Sequence, residues 1–399
     1  MIQRLILITF CVLIDTAIVV PASLIAQDVD DASIAAQTDR VRSLLEHNEV
    51  NQAIVLLDDV LKTHPGRVDI LNLLGDSYSR LGVSDEARRF FEQAVALDSS
   101  NVETLFGLAR ALLSQGNVSR AKQLFQKCVD VNPDAAEAHG YLGQLFLEEG
   151  NLNEARSHFD KVRTLDPDNI DALNGLGITY QQAGIEAKAE EYFKELTERY
   201  PNEEVGHLNL GVLYGSIGHV HDAVVYLNKA AAISPRDKRP YQYLGILYLQ
   251  NKIVPEAEKS FLKVLAIDPF NVDARFGLVV LFQEQQKLDE ALRLAEEMKL
   301  LAPQYPQLHL IIANVYFLKA EHDSAISHAE IQVLNEPKEP AGHYMLGVLY
   351  RLKGLTTRTA WEFDQVKYLA GKEPIENSGI TPQSLYGSFG RTKIIGGKK

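Results

Sequence analysis

An alanine recurs every 34 residues along most of this 399-residue chain. A proline follows most of these alanines twelve residues later, as at Pro65, Pro133 and Pro235. A spacing kept at this length indicates that one supersecondary unit is repeated, so fold and function must be read from that unit. The nine alanines that keep the spacing, with no insertion or deletion between them, are Ala53, Ala87, Ala121, Ala155, Ala189, Ala223, Ala257, Ala291 and Ala325.

Ten repeats of 34 residues, counted from Ile34, extend to Glu373, and position numbers below refer to places within a repeat. Positions 4, 7, 8 and 11 lie on one face of a helix, and so do positions 20, 24, 27 and 28. Leucine dominates position 7, small residues position 8, aromatic residues or leucine position 11, and phenylalanine position 24. Each repeat is therefore predicted to form two amphipathic helices, with large and small side chains interleaved between them.

Glycine and proline mark where the two helices end. Position 15 is glycine in six repeats, and glycine ends a helix because it can enter the left-handed conformation there. Proline at position 32 ends the second helix because it lacks an amide donor and clashes with the preceding turn. The sequence predicts an all-α fold made of helix pairs.

This pattern resembles the tetratricopeptide repeat (TPR) family, whose signature is visible at Leu210-Gly211, Tyr214, Ala223 and Pro235. The resemblance covers residues 34–373, although the tryptophan usual at position 4 is missing. It implies a solenoid of about ten helix-turn-helix repeats that form a right-handed superhelix with a concave groove. Histidine takes position 4 in four repeats, at His139, His207, His309 and His343.

The first 26 residues have the features of a secretory signal. Arg4 precedes an apolar run from Leu5 to Ile14, and small residues follow at Ala22 and Ala26. We favour cleavage after Ala26, which leaves residues 27–33 as a linker before the first repeat. The protein is then exported and is periplasmic or secreted.

The alternative is an uncleaved anchor that spans residues 5–25. Asp15 would then lie inside the bilayer, at a cost of about 2.5–3.5 kcal/mol. An anchored array would act within a membrane-associated complex. Both interpretations place the repeats outside the cytoplasm.

After the last repeat, residues 374–399 contain five glycines and show no helical period. We expect a flexible, basic tail. Tyr386 and Phe389 are the tail residues that we expect to dock on the outer face of the last repeat.

The net charge argues against a nucleic-acid partner, and the cysteine count excludes an internal disulfide. The formal net charge is −13, whereas a nucleic-acid partner requires a basic face. Cys128 is the only cysteine that remains without the leader, so no internal disulfide forms. It stands at position 27, where other repeats have alanine, and it is predicted to be a small buried hydrophobe.

No arrangement of residues suggests catalysis, a cofactor or a metal. The chain has neither a glycine-rich loop before Lys and Ser/Thr nor a Gly-x-Ser-x-Gly motif. The position-4 histidines lie on separate repeats and are predicted to be neutral core residues. His219 and His221 have no cysteine or carboxylate at metal-ligand spacing. We therefore expect a protein without enzymatic activity, and an enzyme or metal protein is the less favoured alternative.

The resemblance implies that positions 2, 5, 9 and 12 of the first helices form the concave wall. Position 9 changes from charged or polar in the first four repeats to aliphatic in the next four. An apolar patch with a polar rim usually marks a partner site. The alternative is that a tightly wound superhelix buries position 9 against the next repeat. The predicted partner-binding residues are Asn174, Ile178, Leu208, Val212, Gln242, Ile246, Phe276, Val280, Leu310 and Tyr344.

The function implied is a protein–protein interaction scaffold or assembly adaptor in the cell envelope. Its groove would hold a peptide segment or helix of a protein partner, since the later groove is apolar. The alternative is a structural spacer that forms homo-oligomers through the ends of the array. No nucleic acid and no cofactor is expected.

Overall fold

The computed structural model describes residues 22–370, with side chains from 34 to 369. Twenty helices and no strand occur in this range, which confirms the all-α prediction. Contacts divide the chain into an N-terminal body, residues 1–179, and a C-terminal body, residues 180–399. The signal residues before Ala22 and the tail residues Tyr386 and Phe389 lie outside the described range.

The helices of the N-terminal body pair consecutively, first helix against second. Helix α1 begins at Ala22, so residues 27–33, expected as a linker, are part of that helix. Helix α9, Ile170–Gln182, contributes its residues up to Thr179 to this body. The others are α1 (Ala22–Glu46), α2 (Val50–Thr63), α3 (Val68–Arg80), α4 (Ser84–Leu97), α5 (Val102–Ser114), α6 (Val118–Val131), α7 (Ala136–Glu148) and α8 (Leu152–Leu165).

The C-terminal body continues the same alternation to the end of the described chain. Its first complete repeat starts at Glu204. The helices are α10 (Glu186–Arg199), α11 (Glu204–Ser216), α12 (Val220–Ile233), α13 (Arg239–Gln250), α14 (Val254–Ile267), α15 (Val272–Glu284), α16 (Leu288–Leu301), α17 (Leu308–Leu318), α18 (His322–Asn335), α19 (Pro340–Leu352) and α20 (Thr356–Ala370).

Position 15 is left-handed in all ten repeats, which confirms the predicted turn and extends it. The six glycines there have φ between 71° and 82°. Asn48, Lys252, Gln286 and Ala320 have the same conformation with φ between 57° and 61°. Because a side chain makes this conformation unfavourable, the helix pairing imposes it on these four residues.

The alanines at position 20 are fully buried from Ala53 to Ala325, as the sequence predicts. The ring at position 24 occupies the space that small residues leave. A Cβ built on Gly75 would lie 2.6 Å from the ring of Phe91, and one on Gly107 would overlap the same ring. Gly107 is at position 6 of the next repeat, so one phenylalanine lies between two successive first helices.

Volume is balanced across these three positions. In repeat 8 position 24 is Ala295, and the facing positions carry the larger Val279 and Ile311, all in one buried cluster. In repeat 3, Phe125 faces Tyr141 instead of glycine, and the rings stack with centroids 4.8 Å apart. Sequence reasoning recognised positions 8 and 24 but missed position 6.

Two glycines of α7 provide a test of this packing. A Cβ on Gly143 would lie 2.8 Å from Phe159, whereas one on Gly140 meets nothing within 4 Å. We expect Gly143→Ala to lower the free energy of unfolding by about 1–3 kcal/mol, because the added methyl group overpacks the core. Gly140→Ala should raise it by roughly 0.5–1 kcal/mol, because alanine favours the helix. Urea unfolding followed by circular dichroism measures both. Equal effects from the two substitutions would contradict the packing argument.

The left-handed alanine provides a second test. Ala320→Gly should raise the free energy of unfolding by roughly 0.5–1 kcal/mol, because relief of left-handed strain exceeds the entropy cost of glycine. Gly354→Ala, at the same position of the next repeat with φ +73°, should act in the opposite direction. A Cβ there meets no atom within 4 Å, so the effect reports backbone strain alone. Thermal unfolding of the two variants should shift the midpoints apart; shifts of the same sign would refute the strain.

Candidate functional site

The predicted groove residues lie on the first helices of repeats 5 to 10. Asn174 and Ile178 belong to α9 in the N-terminal body, and both are half-buried. The other eight lie on α11, α13, α15, α17 and α19 of the C-terminal body. The two groups are therefore described separately.

The aliphatic residues at position 9 of the C-terminal body are half-buried. Val212, Ile246 and Val280 each retain part of their surface, and Ile246 also packs against a buried cluster. Val348 continues the row on α19. These four residues are called the position-9 row below. Its partial exposure fits neither a fully open wall nor complete burial against the next repeat.

Leu208 and Leu310, expected on the wall at position 5, are buried instead. Their side chains are 4% and 2% exposed. Leu310 lies in a core cluster with Ala329 and Met345. The small residues of this cluster let the next helix pair pack closely against α17, and it covers Leu310. In this structure the two leucines present almost no surface to a partner.

Aromatic side chains make up the rest of the position-5 surface. Phe276 and Tyr344 are half-buried, as is Gln242. The ring of Phe276 lies 6.2 Å from that of Tyr305, whose hydroxyl donates to Asp273 Oδ1 at 3.0 Å. Burial first, and then the Asp273 carboxylate, raises the pKa of Tyr305, so its hydroxyl stays protonated. The surface is apolar and aromatic, with hydrogen bonds at its margin.

Two buried amides lie at wall positions of the same body. Gln283 is at position 12 of α15 and Asn314 at position 9 of α17. Gln283 Nε2 and Asn314 Oδ1 have no hydrogen-bond partner among the described residues. An unsatisfied buried amide atom costs about 1–3 kcal/mol. Both atoms are shielded from solvent, so they present no hydrogen-bonding group to a partner on the surface.

The wall of the N-terminal body is charged, as the sequence predicts. Arg42, Arg110 and Gln144 are exposed at position 9, and Asp76 is half-buried. Burial, and then the nearby Glu103 carboxylate, raises the pKa of Asp76. An apolar partner would not be stabilised on this part of the array.

The most exposed row of large apolar residues is on the second helices, where sequence reasoning did not look. Leu300, Leu334 and Tyr368 occupy position 29 of α16, α18 and α20 and are 84%, 79% and 82% exposed. We call these three residues the position-29 stripe. Other repeats have alanine, threonine or charged residues there, such as Asp130 and Glu198. That change in composition was the signal available in the sequence.

Cys128, the one cysteine among the described residues, is buried as predicted. Cys128 has no exposed surface, and its Sγ donates to the Val102 carbonyl at 3.7 Å. Burial raises the pKa of Cys128 to about 11, so the thiolate is not populated near neutral pH. A buried neutral thiol is unreactive.

Three of the four position-4 histidines are neutral, as the sequence predicts for all four. Burial lowers the pKa of His139, His207 and His309, so these rings are uncharged at neutral pH. His343 differs, because its Nδ1 lies 2.7 Å from the buried Glu362 carboxylate. In the part of the chain that the structure describes, no three metal-binding side chains come together. Between residues 22 and 370, no helix is both long and apolar enough to cross a membrane.

Comparison with known families supports the resemblance found in the sequence. A family model described as tetratricopeptide repeat matches residues 38–102, 106–170 and 244–309. Two further models with the same description match residues 146–208 and 206–237. No curated protein matches the chain.

Three solved structures are similar to this chain, and two of them are described as tetratricopeptide repeat proteins. A tetratricopeptide repeat protein of Parabacteroides merdae is 20% identical, with 61% of this chain and 96% of that chain covered and a TM-score of 0.47. The C-terminal part of a TPR repeat-containing protein of Cytophaga hutchinsonii is 21% identical, with coverage of 60% and 98% and a TM-score of 0.45. Pseudomonas aeruginosa PilF is 19% identical, with coverage of 55% and 97% and a TM-score of 0.46.

Truncation at two wall positions should separate surface from core. Leu310→Ala removes a buried side chain and should lower the free energy of unfolding by about 2–5 kcal/mol. Val280→Ala removes half-exposed methyl groups and should cost about 1 kcal/mol or less. Urea unfolding compares the two. A cost for Val280→Ala as large as that for Leu310→Ala would assign the position-9 row to the core.

Proposed function

Because the chain belongs to the tetratricopeptide repeat family, we propose that it is an interaction scaffold that binds an apolar helix or extended segment in its C-terminal body. Repeats of this family mediate protein–protein interaction. The position-9 row carries the proposal, because α11, α13, α15 and α19 each present a half-exposed aliphatic side chain there, with the buried Asn314 between the last two. A partner segment that covers the row removes this apolar surface from water.

The neighbouring groups suit a peptide better than a small molecule. Phe276 and Tyr344 extend the apolar surface on α15 and α19. An extended apolar surface of this kind suits a peptide segment or helix. The scaffold itself performs no chemistry.

We place this scaffold in the cell envelope, as an assembly adaptor for an envelope protein. The support is the secretory signal that the sequence predicts in residues 1–26. A membrane-associated complex is the setting in which an exported scaffold of this kind would work.

Self-association as a structural spacer is the second candidate, and the position-29 stripe favours it. Three large apolar side chains exposed on consecutive second helices are unusual for a surface that meets only solvent. Trp361, 54% exposed on α20, adds to the apolar surface near the end of the described array.

Two surface variants of the full chain distinguish the candidates. The groove variant carries Val212→Asp and Val280→Asp, and the stripe variant carries Leu300→Ser and Leu334→Ser. Val225→Asp, a valine 38% exposed on the second helix α12, is the matched control for an added charge. Affinity capture from envelope extract and light scattering are measured for each variant, with circular dichroism as the folding check.

The scaffold proposal predicts a partner that the wild type, the stripe variant and Val225→Asp retain and that the groove variant loses with unchanged helicity. A concentration-dependent rise in mass that only the stripe variant abolishes, without such a partner, would establish the spacer instead. Unfolding of the groove variant alone would show that the position-9 row belongs to the core.

A further inference from the structure

Positions 4 and 23 of one repeat face each other across its two helices, and histidines meet there twice. His139 Nδ1 lies 2.8 Å from His158 Nδ1 in repeat 4 of the N-terminal body. His309 Nδ1 lies 3.0 Å from His328 Nδ1 in repeat 9 of the C-terminal body. The same two positions, 19 residues apart, thus produce the same contact in both bodies.

The hydrogen bonds of His139 determine where the protons are. Its Nε2 lies 3.1 Å from the carbonyl oxygen of Pro133, which can only accept, so Nε2 carries a hydrogen. In the neutral ring Nδ1 is then an acceptor, and His158 Nδ1 must donate to it. The contact between α7 and α8 is therefore one N–H···N hydrogen bond between two neutral rings.

One further proton can be shared if His158 changes its tautomer, but two protonated rings would bring two N–H groups together. The charged groups nearby oppose even the first proton. Lys122 Nζ lies 3.7 Å from the centroid of Phe146, which stacks on His158. Lys122 is also paired with Glu149, and Lys161 with Asp134.

Burial lowers the pKa of both histidines of the first pair. The effect of burial is largest for His158, with His139 and Lys122 adding to it, and its pKa falls to about 4. For His139 the Pro133 carbonyl and Asp134 oppose burial, and Lys161 reinforces it. Both rings therefore remain neutral over most of the physiological range.

The second pair has a similar environment. Tyr316 stacks on His328 with ring centroids 5.6 Å apart. Burial lowers the pKa of His309 and His328, Lys299 reinforces it and Glu296 opposes it. In His328 the neighbouring His309 is the second cause.

Two other repeats have a histidine at position 4 but a different residue at position 23. His207 meets Tyr226 in repeat 6, with ring centroids 6.0 Å apart. His343 meets Glu362 in repeat 10, and its Nε2 lies 3.3 Å from the Pro337 carbonyl, so both nitrogens face acceptors. In repeat 10 the histidine faces two acceptors, whereas two protonated rings of a histidine pair would face each other as donors.

We propose that the two histidine pairs are acid-released latches, which hold the helices of repeats 4 and 9 together near neutral pH and open them first on acidification. The sign follows from linkage. An unfolded histidine has a pKa near 6.5, so just below that pH the unfolded chain binds protons that the folded pair does not bind. The stabilisation is complete above that value and is lost as the pH falls below it towards about 4.

A metal ion is the other occupant that two imidazoles suggest, and the geometry opposes it. The ring centroids are 5.1 Å and 5.2 Å apart while the Nδ1 atoms are 2.8 Å and 3.0 Å apart, so the rings meet head-on. An ion between head-on rings needs a metal–nitrogen distance of about 2 Å on each side, which this spacing does not provide.

The test uses the full chain and replacements taken from its own repeats. His158→Tyr with His328→Tyr copies repeat 6, and His158→Glu with His328→Glu copies repeat 10. His221→Tyr, an exposed histidine on α12, is the matched control. Hydrogen exchange by mass spectrometry, corrected for intrinsic rates, is measured at about pH 7 and about pH 5.

We expect wild-type and His221→Tyr to lose more protection in α7–α8 and α17–α18, where both histidines of a pair take up protons on opening, than in α11–α12, where the pKa of His207 alone is lowered. The loss should be roughly tenfold per pH unit for each proton taken up on opening. The tyrosine variant should lose protection in α7–α8 and α17–α18 no faster than in α11–α12, and the glutamate variant should gain protection as the pH falls.

Protection that falls uniformly, or equally in the tyrosine variant, would overturn the proposal. Histidine-selective NMR titration provides a second readout that does not depend on how the variants fold. His158 should titrate well below the ordinary histidine value, and a pKa at or above about 6.5 would also overturn it. Stabilisation of the wild type by added Ni²⁺ at pH 7 that the tyrosine variant lacks would replace the latch with a metal site.

Discussion

The stacking of repeats depends on the side chain at position 24, which fills the space between two successive first helices. Phe91, Phe159 and Phe261 each lie against a glycine of their own repeat and a glycine of the next. A single Cβ on those glycines would overlap the ring. A large side chain at position 24 therefore requires small residues at positions 6 and 8. Where position 24 shrinks to Ala295, Val279 and Ile311 grow. One contact thus joins the helices of a repeat and also joins neighbouring repeats.

This packing is strong enough to set backbone geometry against local preference. The turn at position 15 is left-handed in every repeat, although Asn48, Lys252, Gln286 and Ala320 carry side chains there. Isolated chains with these residues would favour other conformations. The helices on both sides of the turn are held by buried contacts, and the strain is tolerated because those contacts are worth more than it costs.

A fixed register also lets different chemistry occupy the same place. Positions 4 and 23 hold two histidines, a histidine with a tyrosine, or a histidine with a glutamate, on one backbone arrangement. Position 9 is charged or polar in the first four repeats and aliphatic in the next four, and position 29 carries a large apolar residue only in the last three repeats. Function in such an array is a property of particular repeats, because the fold does not require these positions to be alike.

The repeat, its two helices, their ends and the buried alanines could all be predicted from the sequence, because each is encoded by spacing or by the local chemistry of glycine and proline. Which wall residues are exposed follows instead from how the helix pairs pack. Leu208 and Leu310 share the helical pattern of the proposed groove, yet both are buried, and Leu310 packs against residues of the next helix pair. Contacts between helices also determine that His139 pairs with His158 and that position 6 packs in the core. A single-helix pattern shows which face a residue lies on, whereas burial depends on the volume of whatever packs against that face.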